Sequence, residues 1–254
     1  MIELIHVSKK YGGKLAVNDL SLTVQGGELF AFLGPNGAGK TTTIKMMCGL
    51  LFPTSGSIRI AGFDLDTQGP QARKHISFVP DTPFLYEKLT GREVLHFIAD
   101  MYGMSADKTS RIEEMINLFT LHGFVDDLTQ HYSHGMRQRT VFAAALLHQP
   151  RVLIVDEPTV GLDPRSIRLL KDVLRNETKR GATVFLSTHS LDVAQELADR
   201  IGVIHQGKLI SCGTLDELRH EADHKGSLEE VFLKLTEEEV PLADAAAETV
   251  VAAN

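Results

Sequence analysis

Residues 34–41 read Gly-Pro-Asn-Gly-Ala-Gly-Lys-Thr. The spacing Gly, four residues, Gly, Lys, Thr builds a loop whose backbone N–H groups can surround the phosphates of a nucleoside triphosphate. Asn36, Gly37 and Gly39 lie in that wrapping stretch, and Lys40 is placed to reach the β- and γ-phosphates. The Thr41 hydroxyl can ligate Mg2+, and Thr42 can hydrogen-bond an α-phosphate oxygen. A helix starting near Lys40 would add its positive N-terminal end.

A second constellation complements the first. Val152-Leu-Ile-Val-Asp156-Glu157-Pro158 ends an apolar run in two acids. In a phosphate-loop enzyme this is the place of a second Mg2+ contact, here Asp156 through its water shell. Glu157, pointing differently as the next residue, is the candidate general base or water-positioning group. Phe185-Leu-Ser-Thr-His189 sets a histidine just past another apolar run, where it could hydrogen-bond a γ-phosphate and the attacking water.

The elements that must hold these groups can be read from the apolar runs. Leu29–Leu33, Ile76–Val79, Val152–Val155, Thr183–Ser187 and Ile201–His205 are short, continuous and bounded by turn residues. That pattern predicts strands buried on both faces of a mostly parallel sheet, hence an α/β architecture. Ile2–Val7, Leu20–Val24 and Ser57–Ile60, punctuated by glycines, predict antiparallel strands beside it, and Gln206-Gly207 predicts a late hairpin. From about 84 to 148 the texture turns helical. It opens on the capping-box pattern Thr90-Gly-Arg-Glu93, followed by one face of Val94, Leu95, Ile98, Met101 and Tyr102 and by a second helix through Ile112, Met115, Ile116 and Phe119. The tail from about Thr236 offers little to pack, and disorder or a loose helix is expected there.

Several motifs in order give a family resemblance over residues 1–235: the chain resembles the nucleotide-binding subunit of an ABC transporter. Tyr11 resembles the aromatic residue that stacks on adenine, with Val17 lining the base. Tyr132-Ser133-His134-Gly135-Met136 resembles the family signature, and Gly161-Leu-Asp163 the loop that contacts the opposing subunit. His189 matches the switch histidine. The resemblance implies a phosphate-loop (RecA-like), mostly parallel sheet core, an antiparallel β subdomain and an inserted helical subdomain at 84–148. It also implies ATP and Mg2+ as ligands, and closure of two subunits head to tail, as a homodimer or heterodimer. Each ATP would then be held by one subunit's phosphate loop and by Ser133 and Gly135 of the other. A separate integral-membrane permease is the implied partner, with the chain peripheral on the cytoplasmic face of the membrane. Phe84-Leu-Tyr-Glu-Lys-Leu-Thr90 falls where such subunits receive a short helix of the permease, the alternative being local packing. Gly226–Leu235 resembles the closing segment of exporter systems.

Two departures stand out. His134 and Met136 replace a glycine and a glutamine of the usual signature. Asp81 stands where the family usually has glutamine; a carboxylate cannot donate a hydrogen bond, and it repels phosphate by about 4 kcal/mol at 4 Å unless a cation lies between. Asp81 is thus a weaker metal candidate than Thr41 and Asp156.

Composition bounds the alternatives. The chain has 254 residues, 43% hydrophobic and 23% charged, with a formal net charge of -7, so no global positive field recruits nucleic acid. The N-terminus lacks a secretory pattern, and no run of about 18 apolar residues predicts a membrane span, so a cytoplasmic location is expected. A non-transport ABC-type ATPase acting on nucleic acid or the ribosome is the competing reading. Only about 115 residues separate Lys40 from Asp156, without the sustained heptads of chromosome-type enzymes, and translation types usually fuse two such domains. No Asn-Lys-x-Asp motif supports a GTPase. Cys48 and Cys212 are expected to remain thiols, Cys48 as a buried structural one. His220 and His224 are expected on a solvated charged helix.

Overall fold

The computed structural model describes residues 1–105, 107–159, 162–221, 229–230 and 232–233. The expectations for Gly161, His224, most of 226–235 and the tail from 236 fall outside these residues.

Strands β1 (Ile2–Tyr11) and β2 (Lys14–Val24) pair antiparallel, and β1 pairs on its other side with β4 (Ser55–Ile60). The short β5 (Phe63–Asp64) completes a sheet of order β2-β1-β4-β5. On β2, Leu20, Leu22 and Val24 are buried while Ser21 and Thr23 are exposed, the alternation of a half-covered sheet. Register shifts between Leu4 and Lys10 bend this sheet.

The second sheet carries the chemistry. Its order is β10-β9-β3-β8-β7-β6, built from β3 (Leu29–Leu33), β6 (Ile76–Val79), β7 (Val152–Asp156), β8 (Thr183–Thr188), β9 (Arg200–His205) and β10 (Lys208–Gly213). All pairings are parallel except β9 with β10, which the Gln206-Gly207 turn joins. Every residue of β3, β7 and β8 is buried, which is why these strands appear as unbroken apolar runs. Register brings their ends together: Leu33 lies opposite Thr188, and Asp156 opposite Ser187. The residues after β3, β7 and β8 therefore emerge at one sheet edge, the C-terminal edge where open α/β sheets bind ligands.

The two faces of this sheet are covered differently. Val152 and Ile154 of β7 and Phe185 of β8 face the antiparallel sheet and helix α1 (Lys40–Met47), packing with Phe30, Phe32 and Ile44. The Phe185 ring lies 5.7 Å from Phe30 and 5.3 Å from Phe32. Truncating such a ring to alanine costs about 3–5 kcal/mol. Leu153, Val155, Val184 and Leu186 face the other way, toward α4 (Lys108–Leu118), α5 (His134–Leu146) and α6 (Pro164–Lys179). The short α2 (Gly69–Arg73) precedes β6. Helix α3 (Gly91–Met101) opens on a formed capping box, Thr90 and Glu93 each bonding the other's backbone N–H. Helices α7 (Leu191–Leu197) and α8 (Leu215–Glu221) close the remaining side. Among the described residues no helix is long and apolar enough to cross a membrane.

Candidate nucleotide site

The loop after β3 is forced into place by its glycines. A Cβ on Gly34 would lie 2.4 Å from the Ile204 carbonyl oxygen, and one on Gly39 2.6 Å from the Ala16 carbonyl oxygen. Gly39 also holds φ +111° as the N-cap of α1, a conformation L side chains rarely adopt. The first backbone bond of the helix runs from Thr43 N to Gly39 O at 2.9 Å, so the amides of Lys40, Thr41 and Thr42 precede the ladder and are free to meet an anion.

Lys40 is buried, and its Nζ donates to Gly34 O at 2.7 Å and to Pro35 O at 3.3 Å. It also lies 3.5 Å from Glu157 Oε1. The Thr41 hydroxyl donates to Asp156 Oδ2 at 3.3 Å. Asp156 is 2% exposed, and its Oδ1 has no hydrogen-bond partner. Burial pushes its carboxyl above the usual range, the Asp81 and Glu157 carboxylates add to this, and the Ser187 and Thr41 hydroxyls oppose it. Glu157 sits at φ +45°, its N–H tied to Ser187 O at 3.0 Å. This left-handed turn at the strand end costs about 1–3 kcal/mol in a non-glycine residue. Glu157 Oε2 then meets His189 Nδ1 at 2.8 Å and accepts from His189 N at 3.2 Å. Three strand ends thus deliver a lysine, two carboxylates and a histidine to one place.

These groups border a cavity of about 700 Å³, within the range of small-molecule sites. Of the residues singled out from sequence, Tyr11, Asn36, Gly37, Gly39, Lys40, Thr41, Thr42, Asp81, Asp156 and Glu157 line it, and His189 reaches it through Glu157. Tyr11 is half exposed, with Lys9 Nζ 5.4 Å from its ring centroid. Asp81 is exposed, and its Oδ1 accepts the Thr82 N–H at 2.7 Å.

Val17 is a correction: it is fully buried behind Gly39 and does not line the cavity. Leu15 and Ala16 form that wall instead, because Val17 turns into the core beneath the loop. Lys14 and Gln206 also line the cavity and were missed. Gln206 was legible only as part of a turn, since nothing local in the sequence sets that turn against the loop.

The donor set fits Mg2+. Thr41 Oγ1, the unpartnered Asp156 Oδ1 and the nearby Asp81 carboxylate are hard oxygen donors. Among the described residues no three His, Cys, Asp or Glu side chains cluster to hold a metal by themselves. Among the described residues that line the cavity, Asp81, Asp156 and Glu157 outnumber Lys40 and Lys14, a balance that a divalent cation would offset beside a polyphosphate.

Comparison with known proteins decides the family. The family described as ABC transporter matches residues 17–160. The chain belongs to the ABC transporter ATP-binding family. It is 37% identical over 240 residues to the probable multidrug ABC transporter ATP-binding protein YbhF of Escherichia coli (strain K12), covering 92% of this chain and 41% of that protein. The chain thus spans less than half of YbhF. It is 43% identical over 212 residues to the uncharacterized ABC transporter ATP-binding protein YhcH of Bacillus subtilis (strain 168), covering 83% of this chain and 68% of that one. Among solved structures it resembles an ATP-binding subunit of an ABC transporter at 35% identity and TM-score 0.89, over 93% of this chain and 99% of that one. It also resembles the ATP-binding cassette MJ0796, solved as a dimer in a post-hydrolysis state with ADP and Pi, at 26% identity and TM-score 0.78, over 85% of this chain and 99% of that one.

Two features of this ABC family chain lie away from the cavity. Ser133 and Gly135 do not border it: Ser133 is exposed and caps α5, its Oγ accepting Met136 N at 3.3 Å, and the space beside Gly135 is open. Asp163 caps α6, accepting from Arg165 N and Ser166 N. Elsewhere Phe84 is 73% exposed and Tyr86 51%; Tyr86 packs edge-on against Phe84 and against Phe97. They rim a groove of about 220 Å³ floored by Tyr102 and His148, whose rings stack at 3.5 Å. Burial pulls His148 down to about 4. Cys48 is a buried free thiol that burial pushes up to about 12, as a structural cysteine should be.

Proposed function

We propose that this chain is the ATP-hydrolysing subunit of an exporter-type ABC system, driving a separate membrane permease by ATP-dependent closure of two such subunits. The observation that carries the reading is Glu157, held between Lys40 at 3.5 Å and His189 at 2.8 Å beside the Thr41–Asp156 pair. In this reading the ATPase domain spans residues 1–235, with 84–148 as its helical subdomain.

The loop amides from Asn36 to Thr42 and the Lys40 ammonium bind the phosphates, and the Tyr11 ring stacks on the base. Thr41 and Asp156 would hold Mg2+, with Asp81 as a weaker third donor; when bound, the ion would offset negative charge on the phosphates. Glu157 accepts the proton of a water that attacks the γ-phosphorus as the bond to the bridging oxygen breaks, leaving ADP and phosphate. His189 orients Glu157 and the water. Ser133 is exposed, and neither it nor Gly135 borders this cavity, so they serve the ATP of a second subunit. The dimeric MJ0796 neighbour with ADP and Pi supports that arrangement. Loss of the γ-phosphate removes these contacts and lets the pair open.

The rim of Phe84 and Tyr86 receives a short helix of the permease, which anchors the chain at the cytoplasmic face of the membrane. Names such as multidrug transporter among the relatives support export. Affinity purification from membranes tests the partner: a polytopic protein should accompany the chain, whereas recovery of ribosomes or nucleic acid in its place overturns the transporter reading.

A further inference from the structure

Gln206 and Gly207 form the two-residue turn between β9 and β10, with His205 paired to Lys208 on either side. Both have positive φ, 47° and 83°. Two-residue turns of this hand strongly favour Asn, Asp or Gly at the first position, so turn chemistry does not account for glutamine. The turn is also clamped. Gly207 N donates to Ala38 O at 2.9 Å and Asn18 N donates to Gly207 O at 2.8 Å, fixing it between the phosphate loop and β2. A Cβ on Gly207 would lie 2.8 Å from Ala16 O. Gln206 is exposed, lines the cavity, and its carboxamide has no hydrogen bond among the described residues.

The cavity has two chemically distinct ends. Lys40, Thr41, Asp156 and Glu157 make one, suited to phosphate and metal. Tyr11, Leu15 and Ala16 make the other, an aromatic and aliphatic surface suited to the faces of a base. Gln206 is the uncharged carboxamide at that second end. We propose that Gln206 reads the base: its carboxamide pairs with the N6–N7 edge of a purine stacked on Tyr11 and biases the site toward adenine over guanine. A carboxamide offers one acceptor and one donor, matching adenine's N6 donor and N7 acceptor. Guanine presents two acceptors, O6 and N7, at the same edge and leaves the carboxamide oxygen unpaired. Lys14, an ammonium with donors only, cannot supply that match. The inference rests on the nucleotide-site reading above.

The test measures affinity for ATP, GTP and inorganic tripolyphosphate by calorimetry with Mg2+, comparing the unmodified chain with Gln206→Gly and Gln206→Ala. Gln206→Gly removes the carboxamide while suiting the positive φ, so its melting temperature should be unchanged or higher and loss of folding does not confuse the result. The ratio of ATP to GTP affinity should fall about 10-fold in both variants, with tripolyphosphate binding unchanged. An unchanged ratio overturns the proposal, as does equal weakening of all three ligands, which would place Gln206 on the phosphates or in the fold. Failure of the unmodified chain to bind ATP would instead refute the nucleotide site itself.

Discussion

Replacing Glu157 by glutamine separates binding from chemistry. The variant keeps the shape that meets His189 at 2.8 Å but removes the proton acceptor. General-base catalysis contributes about 10²–10⁴-fold, so turnover should drop by that factor. Binding should move the other way. Glu157 and Lys40 approach to 3.5 Å with side chains only 15% and 7% exposed, a gross attraction of about 4–5 kcal/mol at an effective dielectric near 20, before desolvation is counted. Nucleotide must share Lys40 with this carboxylate, and the carboxylate also repels the γ-phosphate. Neutralising it relieves both, so ATP affinity should be equal or tighter. ATP-bound dimers should then accumulate because the step that opens them is blocked. Phosphate release, calorimetry and light scattering on size-exclusion chromatography read these three quantities. Near-normal turnover by Glu157→Gln would refute the general-base role, and loss of ATP affinity would refute the charge argument.

Asp81→Gln restores the amide usual in the family at a position whose carboxylate raises that of Asp156. Its Mg-ATPase rate should equal or exceed that of the unmodified chain, and complete loss of activity would show that the acid has its own task. His148 is held neutral by burial, down to about 4 against about 6.5 unfolded. Below 6.5 the unfolded chain binds the extra proton, so stability present at neutral pH is lost as pH falls toward 4, by up to about 1.4 kcal/mol per unit. His148→Phe should keep a ring against Tyr102 and flatten that slope in urea melts between pH 7 and pH 5; an unchanged slope would contradict it.

The central strands were legible because they are buried on both faces. Leu29–Leu33 and Ile76–Val79 have the bounds read from their apolar runs, and Thr90-Gly-Arg-Glu93 forms the capping box its side chains encode. Strand order was not legible, since identical apolar runs can pair in many sequences. Nor was β5, two residues long, or α2, which has too few turns for periodicity. Val17 shows a different limit. Register shifts on β1 pair Val7 with Leu20 but Lys9 with Val17, so counting by twos along the strand does not say which side chain faces the cavity. Gln206 entered the site through a hairpin that is far from the phosphate loop in sequence but is hydrogen-bonded to Ala38 and Asn18 in space.

Lys40→Ala tests most directly whether residues 34–41 and the acids Asp156 and Glu157 at the end of β7 bind Mg-ATP. The buried Nζ, 2.7 Å from Gly34 O, is the cation placed within the phosphate loop to meet the phosphates. Isothermal titration with Mg-ATP should give clear saturable binding for the unmodified chain and none for Lys40→Ala, with both proteins melting cooperatively. Equal affinity in the two proteins would contradict the account.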